Sequence, residues 1–366
     1  MKLKSKIITL IILTIFGSAA IIVLYNLSEN ITHYHNTFIR RFPQHTAQQI
    51  HSADLKFNSY YFAGQSNGKI YLGNYTAPLQ VMVLDSTLKT NKVFHIALKQ
   101  QHLPIQSPQI RVLGSNFYVF EGIAPYIFKG DTKDWKASLR INSGQYFSQL
   151  EPIDSTNLAI RYIQPKTGQS ILGTLNLTDT IHPKYNVSLL QKQFDGIFDT
   201  DGSLLVNHHL NKIIYIYLYR NEFIVAQPNL NLAYRGNTID TITHAQIKLA
   251  KLKDGKGKTF AKPPLIVNKV TAVDNNLLYV NSELPGLYET EELWKTASII
   301  DVYNLTDKTY RSSFPVYDIG KKKMRSILVS GRFLYALIGD KIVCYKLREH
   351  LTQTRSAKEY SKTKKQ

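Results

Sequence analysis

Asn67-Gly-Lys-Ile-Tyr-Leu-Gly-Asn74 opens on a turn dipeptide, runs through apolar and aromatic residues and closes on a polar side chain. The apolar core of that unit, Ile70-Tyr-Leu-Gly-Asn74, returns as Phe117-Tyr-Val-Phe-Glu121, Leu158-Ala-Ile-Arg161, Leu204-Leu-Val-Asn207, Leu278-Tyr-Val-Asn281 and Phe333-Leu-Tyr-Ala-Leu337. All but the third follow closely on Asn, Asp or Gly, residues that turn a chain by tolerating positive φ or by bonding their own backbone. In most copies a second apolar run follows after a short loop, as in Leu79-Gln-Val-Met-Val-Leu-Asp85, Ile299-Ile-Asp-Val-Tyr-Asn-Leu305 and Lys341-Ile-Val-Cys-Tyr-Lys-Leu347. A third often succeeds it, as in Lys92-Val-Phe-His-Ile-Ala97. Short β-branched and aromatic runs between turn signals read as strands, and a recurring unit reads as a repeat architecture.

The polar positions 74, 121, 161, 207 and 281, with 337 as the sixth, are spaced by 47, 40, 46, 74 and 56 residues. Four-stranded propeller blades take about 40–50 residues. The expectation is an all-β chain, a β-propeller of six blades over residues 55–347, with seven as the alternative. The wide interval holds a Lys-rich insertion at about 237–262, read as a large loop or a degenerate extra blade. Its Lys253-Asp-Gly-Lys-Gly-Lys258 reads as a flexible basic loop. The last copy is short, so closure needs an amino-terminal strand, and Leu55-Lys-Phe-Asn-Ser-Tyr-Tyr-Phe62 is the candidate. A short helix is expected over Tyr288 to Ala297.

The units above and Ala297-Ser-Ile-Ile-Asp-Val-Tyr-Asn-Leu-Thr-Asp-Lys308 resemble the exported bacterial β-propellers. The chain looks most like the membrane-anchored, six-bladed-type propeller proteins of unknown function common in Bacteroidetes-like bacteria. That resemblance covers residues 55–347 and implies architecture only; the class includes ligand binders, scaffolds, lactonase-type hydrolases and non-cofactor subunits of redox enzymes.

Residues 7–25 carry no charge and follow Lys2, Lys4 and Lys6. Nineteen residues of helix reach about 29 Å, the thickness of a bilayer's hydrocarbon core. The lysines place the amino terminus in the cytoplasm and the remainder outside the inner membrane. Residues 1–25 are thus expected as a basic region and a signal anchor, with cleavage near Ala20 and secretion as the alternative. Residues 26–54, polar and without apolar period, read as a stalk whose His33, His35, His45 and His51 are solvated; residues 348–366 read as a disordered basic tail.

Of 366 residues, 45 are Lys or Arg and 26 are Asp or Glu, a net charge of +19. The tail holds +4 and the first six residues +3, which leaves the body strongly basic. Such a body attracts an anionic ligand or surface, or another membrane or exported protein. Nucleic acid is set aside, because the basic residues form no recognition helix, zinc finger or aromatic RNP-type strand. The lone cysteine, Cys344, sits in an apolar run and reads as a buried small hydrophobe.

Phosphate-cradling loops, nucleophile elbows and paired-histidine zinc motifs are missing. The candidate binding residues are therefore the ends of the repeated units, Asn74, Glu121, Arg161, Asn207 and Asn281, as a ring at one channel mouth, with His208 and His209 beside it. One carboxylate offset by one arginine suits a divalent ion poorly, so no cofactor is expected, with Ca²⁺ as the alternative. Glu289, Glu291 and Glu292 read as a solvated helical face. The leading expectation is a binding or scaffold protein rather than an enzyme. The alternatives are a metal-assisted hydrolase or lyase using His208, His209 and Glu121, and an accessory non-cofactor subunit of an exported redox enzyme.

Overall fold

The computed structural model describes residues 2–32, 36–100, 103–142, 146–178, 183–252 and 257–351. His33, His35, residues 253–256 of the basic loop and the tail beyond 351 lie outside them. Helix α1, Lys2–Thr32, contains the apolar segment Lys6–Tyr25, 20 residues long and fully uncovered by the rest of the protein.

Six four-stranded antiparallel blades succeed one another along the chain. Their innermost strands are Tyr60–Ser66, Gln109–Leu113, Phe147–Pro152, Gly202–Asn207, Asn268–Asp274 and Met324–Ser330. Each touches the next, and the sixth touches the first, which closes a β-propeller around a central channel. The insertion is a two-stranded hairpin, Leu249–Lys251 with Lys258–Phe260, not a seventh blade. All six innermost strands begin on one side of the disc, here the start face, and end on the other, the far face. Because the second strand of each blade runs back, the loops between second and third strands also lie on the start face.

Burial explains the pattern of the sequence. Second and third strands are sandwiched between neighbouring blades on both faces, so Leu277–Ser282 and Ala297–Asn304 are buried along their whole length. The innermost strands turn one face to the channel: in Gln109–Leu113 buried and half-buried residues alternate. The cores lie between blades; one joins Tyr335, Leu337, Ile342 and Cys344 of blade 6 to Tyr60, Ile70, Leu72 and Leu84 of blade 1. Cys344 is the buried hydrophobe its surroundings suggested, and burial pushes its thiol up to about 11.

The closing strand is Ala47–Asp54, paired antiparallel with Lys341–Leu347 from Ala47↔Leu347 to Asp54↔Lys341. This corrects the expectation for Leu55–Phe62, which instead leads into the innermost strand of blade 1. Residues 36–54 are therefore no free stalk. Asn36 donates its amide to the Pro285 carbonyl (3.1 Å), the Phe38 carbonyl accepts from the Leu287 amide (3.0 Å) and the Arg41 carbonyl accepts from Ser313 (2.8 Å).

The centre of this neck is Arg40, whose side chain is completely buried. Its Nε and Nη2 donate to the two carboxylate oxygens of Asp301 (2.7 and 3.1 Å). Nη1 donates to both oxygens of Glu289 (2.8 Å each) and to the Leu284 carbonyl (3.0 Å). The guanidinium also lies over the Phe38 ring at 4.7 Å and the Trp294 ring at 5.5 Å. Burial by itself would lower its pKa, but Asp301 and Glu289 outweigh that and raise it. Glu289 consequently leaves the expected solvated face: it is buried and also accepts from Trp294 Nε1 (2.8 Å). Helix α2, Glu291–Thr296, begins after it, capped by Thr290, and keeps Glu291 and Glu292 exposed.

Blades 1 and 2 are joined into one sheet by a parallel bridge, Gly64↔Val112 and Gln65↔Leu113. At Gly64 φ is +151°, and a Cβ there would sit 2.3 Å from the Val112 carbonyl oxygen. Only glycine permits both the conformation and the approach.

Candidate functional site

All six blades contribute to the lining of the channel. Two adjoining spaces of about 320 and 330 Å³ share Arg111, Glu151, Leu205, Thr271 and Ser326. The start-face half is polar, with Gln109, Gln149, Ser203, Lys269 and Arg325. The far-face half is mixed, with Phe62, Leu113, Val273, Leu328 and Val329 set among polar groups, and His208 at its mouth.

Alternation in the short innermost strands positions these groups: Arg111 and Glu151 each occupy a channel-facing position flanked by buried neighbours. At the waist Arg111 Nε donates to Glu151 Oε1 at 2.6 Å, with about a fifth of each side chain exposed (22% and 21%). Burial raises the Glu151 pKa and Arg111 opposes it; burial would lower the Arg111 pKa, but Glu151 raises it. Thr271 lines the same waist, and its buried hydroxyl has no hydrogen-bond partner among the described residues.

Other polar groups of the wall hold strand to strand. Gln65 donates to the Val329 carbonyl (3.2 Å), and Gln149 donates to the Gly202 carbonyl (2.6 Å) while accepting from the Leu204 amide (2.7 Å). Arg325 donates to the carbonyls of Gly339 (3.2 Å) and Tyr60, bridging blade 6 to blade 1. Burial lowers its pKa. Lys269 pairs with Glu283 at 3.0 Å.

The seven residues proposed from the sequence do not form one ring. Asn74, buried at the end of a second strand, accepts from the Thr76 amide and hydroxyl (2.9 Å each) and from Ala77 (3.3 Å), closing its own turn. Glu121 accepts from the Gln106 amide (2.7 Å) and fastens the segment between blades 1 and 2. Arg161 is buried against Ser170 (3.1 Å) and Asp201 (2.5 Å). Asn281 is buried within its strand and donates to Ile299 (3.1 Å). Asn207 lies on the opposite face, at the end of an innermost strand, where it donates to the Asn275 carbonyl (2.7 Å) and accepts from Leu210 (2.8 Å).

The reason is register. Five of the six repeated units are second strands, but Leu204–Asn207 belongs to an innermost strand, so its polar end points the other way. His208 and His209 share that far face, and Glu121 lies on the start face; the three are not brought together. Of the seven, His208 alone lines the channel cavities. Surrounding protein atoms displace water from its ring and lower its pKa. Both His208 and His209 are exposed at that mouth. Among the described residues no three His, Cys, Asp or Glu side chains gather as metal ligands.

Arg111, Glu151 and Thr271 were missed because polar residues alternating in a short strand resemble an exposed edge. A larger groove of about 450 Å³ between blades 3 and 4 is less suited to recognition. Its Asp154 is consumed by Thr156 (2.7 Å) and Asn157 (2.8 Å) in a local turn.

No protein-family model matches the sequence, and no curated protein matches it. Among solved structures, a member of the DUF4221 family from Bacteroides vulgatus is 13% identical, with a TM-score of 0.50 over 84% of this chain and 99% of that one. The Pan2 WD40 domain of Neurospora crassa is 6% identical, with a TM-score of 0.44 over 84% of this chain and 97% of its own. At these identities the first likeness concerns the fold alone.

Proposed function

We propose that the protein is a membrane-anchored, exported propeller that acts by binding, as a scaffold for another membrane or exported protein or as the receptor of an anionic ligand. One observation carries this reading: a closed disc is fixed to its apolar helix through a neck whose arginine is buried between two carboxylates. The neck is so held that the tether leaves the disc at one defined place, which suits a platform. The three lysines before the apolar segment support a cytoplasmic amino terminus and a propeller on the other side of the inner membrane. In this reading the part-exposed Arg111–Glu151 pair is the polar contact offered in the channel.

The test is to extract the full-length protein from native membranes in mild detergent and identify what copurifies as salt is raised from 0.05 to 0.5 M, about 14 to 4 Å of screening length. A stoichiometric partner or ligand retained at low salt and lost at high salt is expected. Recovery of the protein alone at every salt concentration would sink the reading.

A further inference from the structure

The two faces of the disc differ in what they expose. Outside α1, the neck and the strands themselves, every strongly exposed large apolar side chain among the described residues belongs to a start-face loop. Examples from successive sectors are Phe57, Tyr75, Ile123, Phe194, Leu252 and Tyr288, between 46% and 83% exposed except Leu252 at 44%. None lies in a far-face turn; Leu232, at the first residue of a strand, comes nearest to that side. Blade 6 offers the start face lysines 321–323 instead, all exposed, and the insertion adds exposed Lys248, Lys251, Lys258 and Lys262. Of the acids on that face, exposed Glu291 is paired with Lys295 and half-buried Asp340 with Lys322; exposed Asp54 accepts from the Lys56 amide (2.7 Å), and exposed Glu292 stands on α2.

The tether reaches the same face. Helix α1 ends at Thr32, and Asn36 is already bonded to Pro285 and Thr241 in start-face loops. Four residues span at most about 14 Å. The seven helical residues between Tyr25 and Thr32 add about 10 Å. The start face is thus held within reach of the headgroup layer, and the Arg40 lock keeps the neck on it.

From this we infer that the start face rests on the surface of an anionic bilayer, with the apolar loop tips entering the headgroup boundary and the lysines facing lipid phosphates. The inference rests on the membrane-anchor reading above. Single apolar residues spread around a ring suit a plane rather than a pocketed partner. Aromatic rings favour the interfacial layer, and lysines close to an anionic leaflet are drawn to it. The far face, with His208 at the channel mouth, then looks away from the membrane.

Full-length protein reconstituted in phosphatidylethanolamine–phosphatidylglycerol vesicles tests this. Single cysteines at Ile123→Cys and Tyr288→Cys on the start face, and Lys89→Cys and Lys133→Cys on the far face, are labelled with a fluorophore. Buried Cys344 stays unlabelled. Headgroup spin-labelled lipid should quench the start-face labels severalfold more than the far-face labels, and aqueous iodide should do the reverse. Replacing lysines 321–323 with glutamate should weaken the lipid quenching.

Equal quenching of both faces, in vesicles that retain the protein through alkaline carbonate washing, would overturn the inference and leave the anchor intact. Start-face labels shielded from iodide but untouched by spin-labelled lipid would mean contact with a second copy and would also overturn it. Release of the protein by carbonate would remove the anchor and the inference together.

Discussion

Two arginine–carboxylate sites, one at the rim and one in the channel, show how surroundings decide what the same chemistry does. Arg40 is fully buried, holds two carboxylates and a carbonyl, and is flanked by two aromatic rings. Arg111 meets one carboxylate and one carbonyl, with about a fifth of the pair exposed and an unpartnered hydroxyl nearby. The first site is saturated and can only hold the chain in place. The second has room to exchange a protein partner for a ligand, because water already reaches it and the exchange leaves no dry charge behind.

The largest expected effect breaks the rim. Arg40→Ala strands Asp301 and Glu289 as buried charges, and thermal or denaturant unfolding should show a loss of about 3–5 kcal/mol. Arg40→Lys should recover only part, because an ammonium cannot supply the forked donors that Asp301 and Glu289 receive. Next comes the channel wall, where Gly64→Ala forces a Cβ onto the Val112 carbonyl; about 1–3 kcal/mol should be lost in the same melts.

Arg111→Gln should cost less than Arg40→Ala, about 1.5 kcal/mol at neutral pH, and its pH dependence sharpens the contrast. Burial already raises the Glu151 pKa, and losing Arg111 lets it rise further. A carboxyl with a raised folded pKa stabilises below its unfolded pKa, about 4.3, and that contribution is lost as pH rises through the folded value. The variant should therefore approach wild-type stability in acid and fall behind as pH rises; parallel profiles would show that Arg111 does not hold the Glu151 pKa down.

The smallest effect is at His208. Its ring should titrate by NMR below the ordinary histidine value, about 6.5. The depressed pKa makes its contribution to stability present above that value and lost as pH falls through the folded pKa, and His208→Gln should abolish only that loss. A titration at or above the ordinary value would mean that the far mouth is as wet as bulk solvent.

The sequence spoke most clearly about the middle of each blade. Second and third strands, buried on both faces, stand out as unbroken apolar runs; this made the propeller legible, along with the apolar amino-terminal helix. Innermost and outermost strands were quiet for opposite reasons. Gln109–Leu113 alternates because one face lines the channel, and Ala47–Asp54 has few apolar residues because it forms a half-buried rim. The channel residues and the closing strand were therefore the parts misread. Arg40 left no signal at all: its hold on blade 5 is ionic, and a periodicity of apolar residues cannot register it. Nothing in the local sequence told that Leu204–Asn207 was an innermost strand and its look-alikes second strands, and that one step scattered the proposed ring over two faces.

The pairing of Ala47–Asp54 with Lys341–Leu347 also sets a timetable. The segment that closes the circle is made before the six blades, and its partner only after five of them and most of the sixth. Until the sixth blade has been synthesised the early strand has no complementary edge, and joining the two must overcome the closure entropy of all the blades between them. A molecule cut short before Lys341 would keep two raw strand edges, at blade 6 and at Ala47–Asp54, open to stray pairing and to proteases. Completion of the clasp thus requires that all six blades are in place.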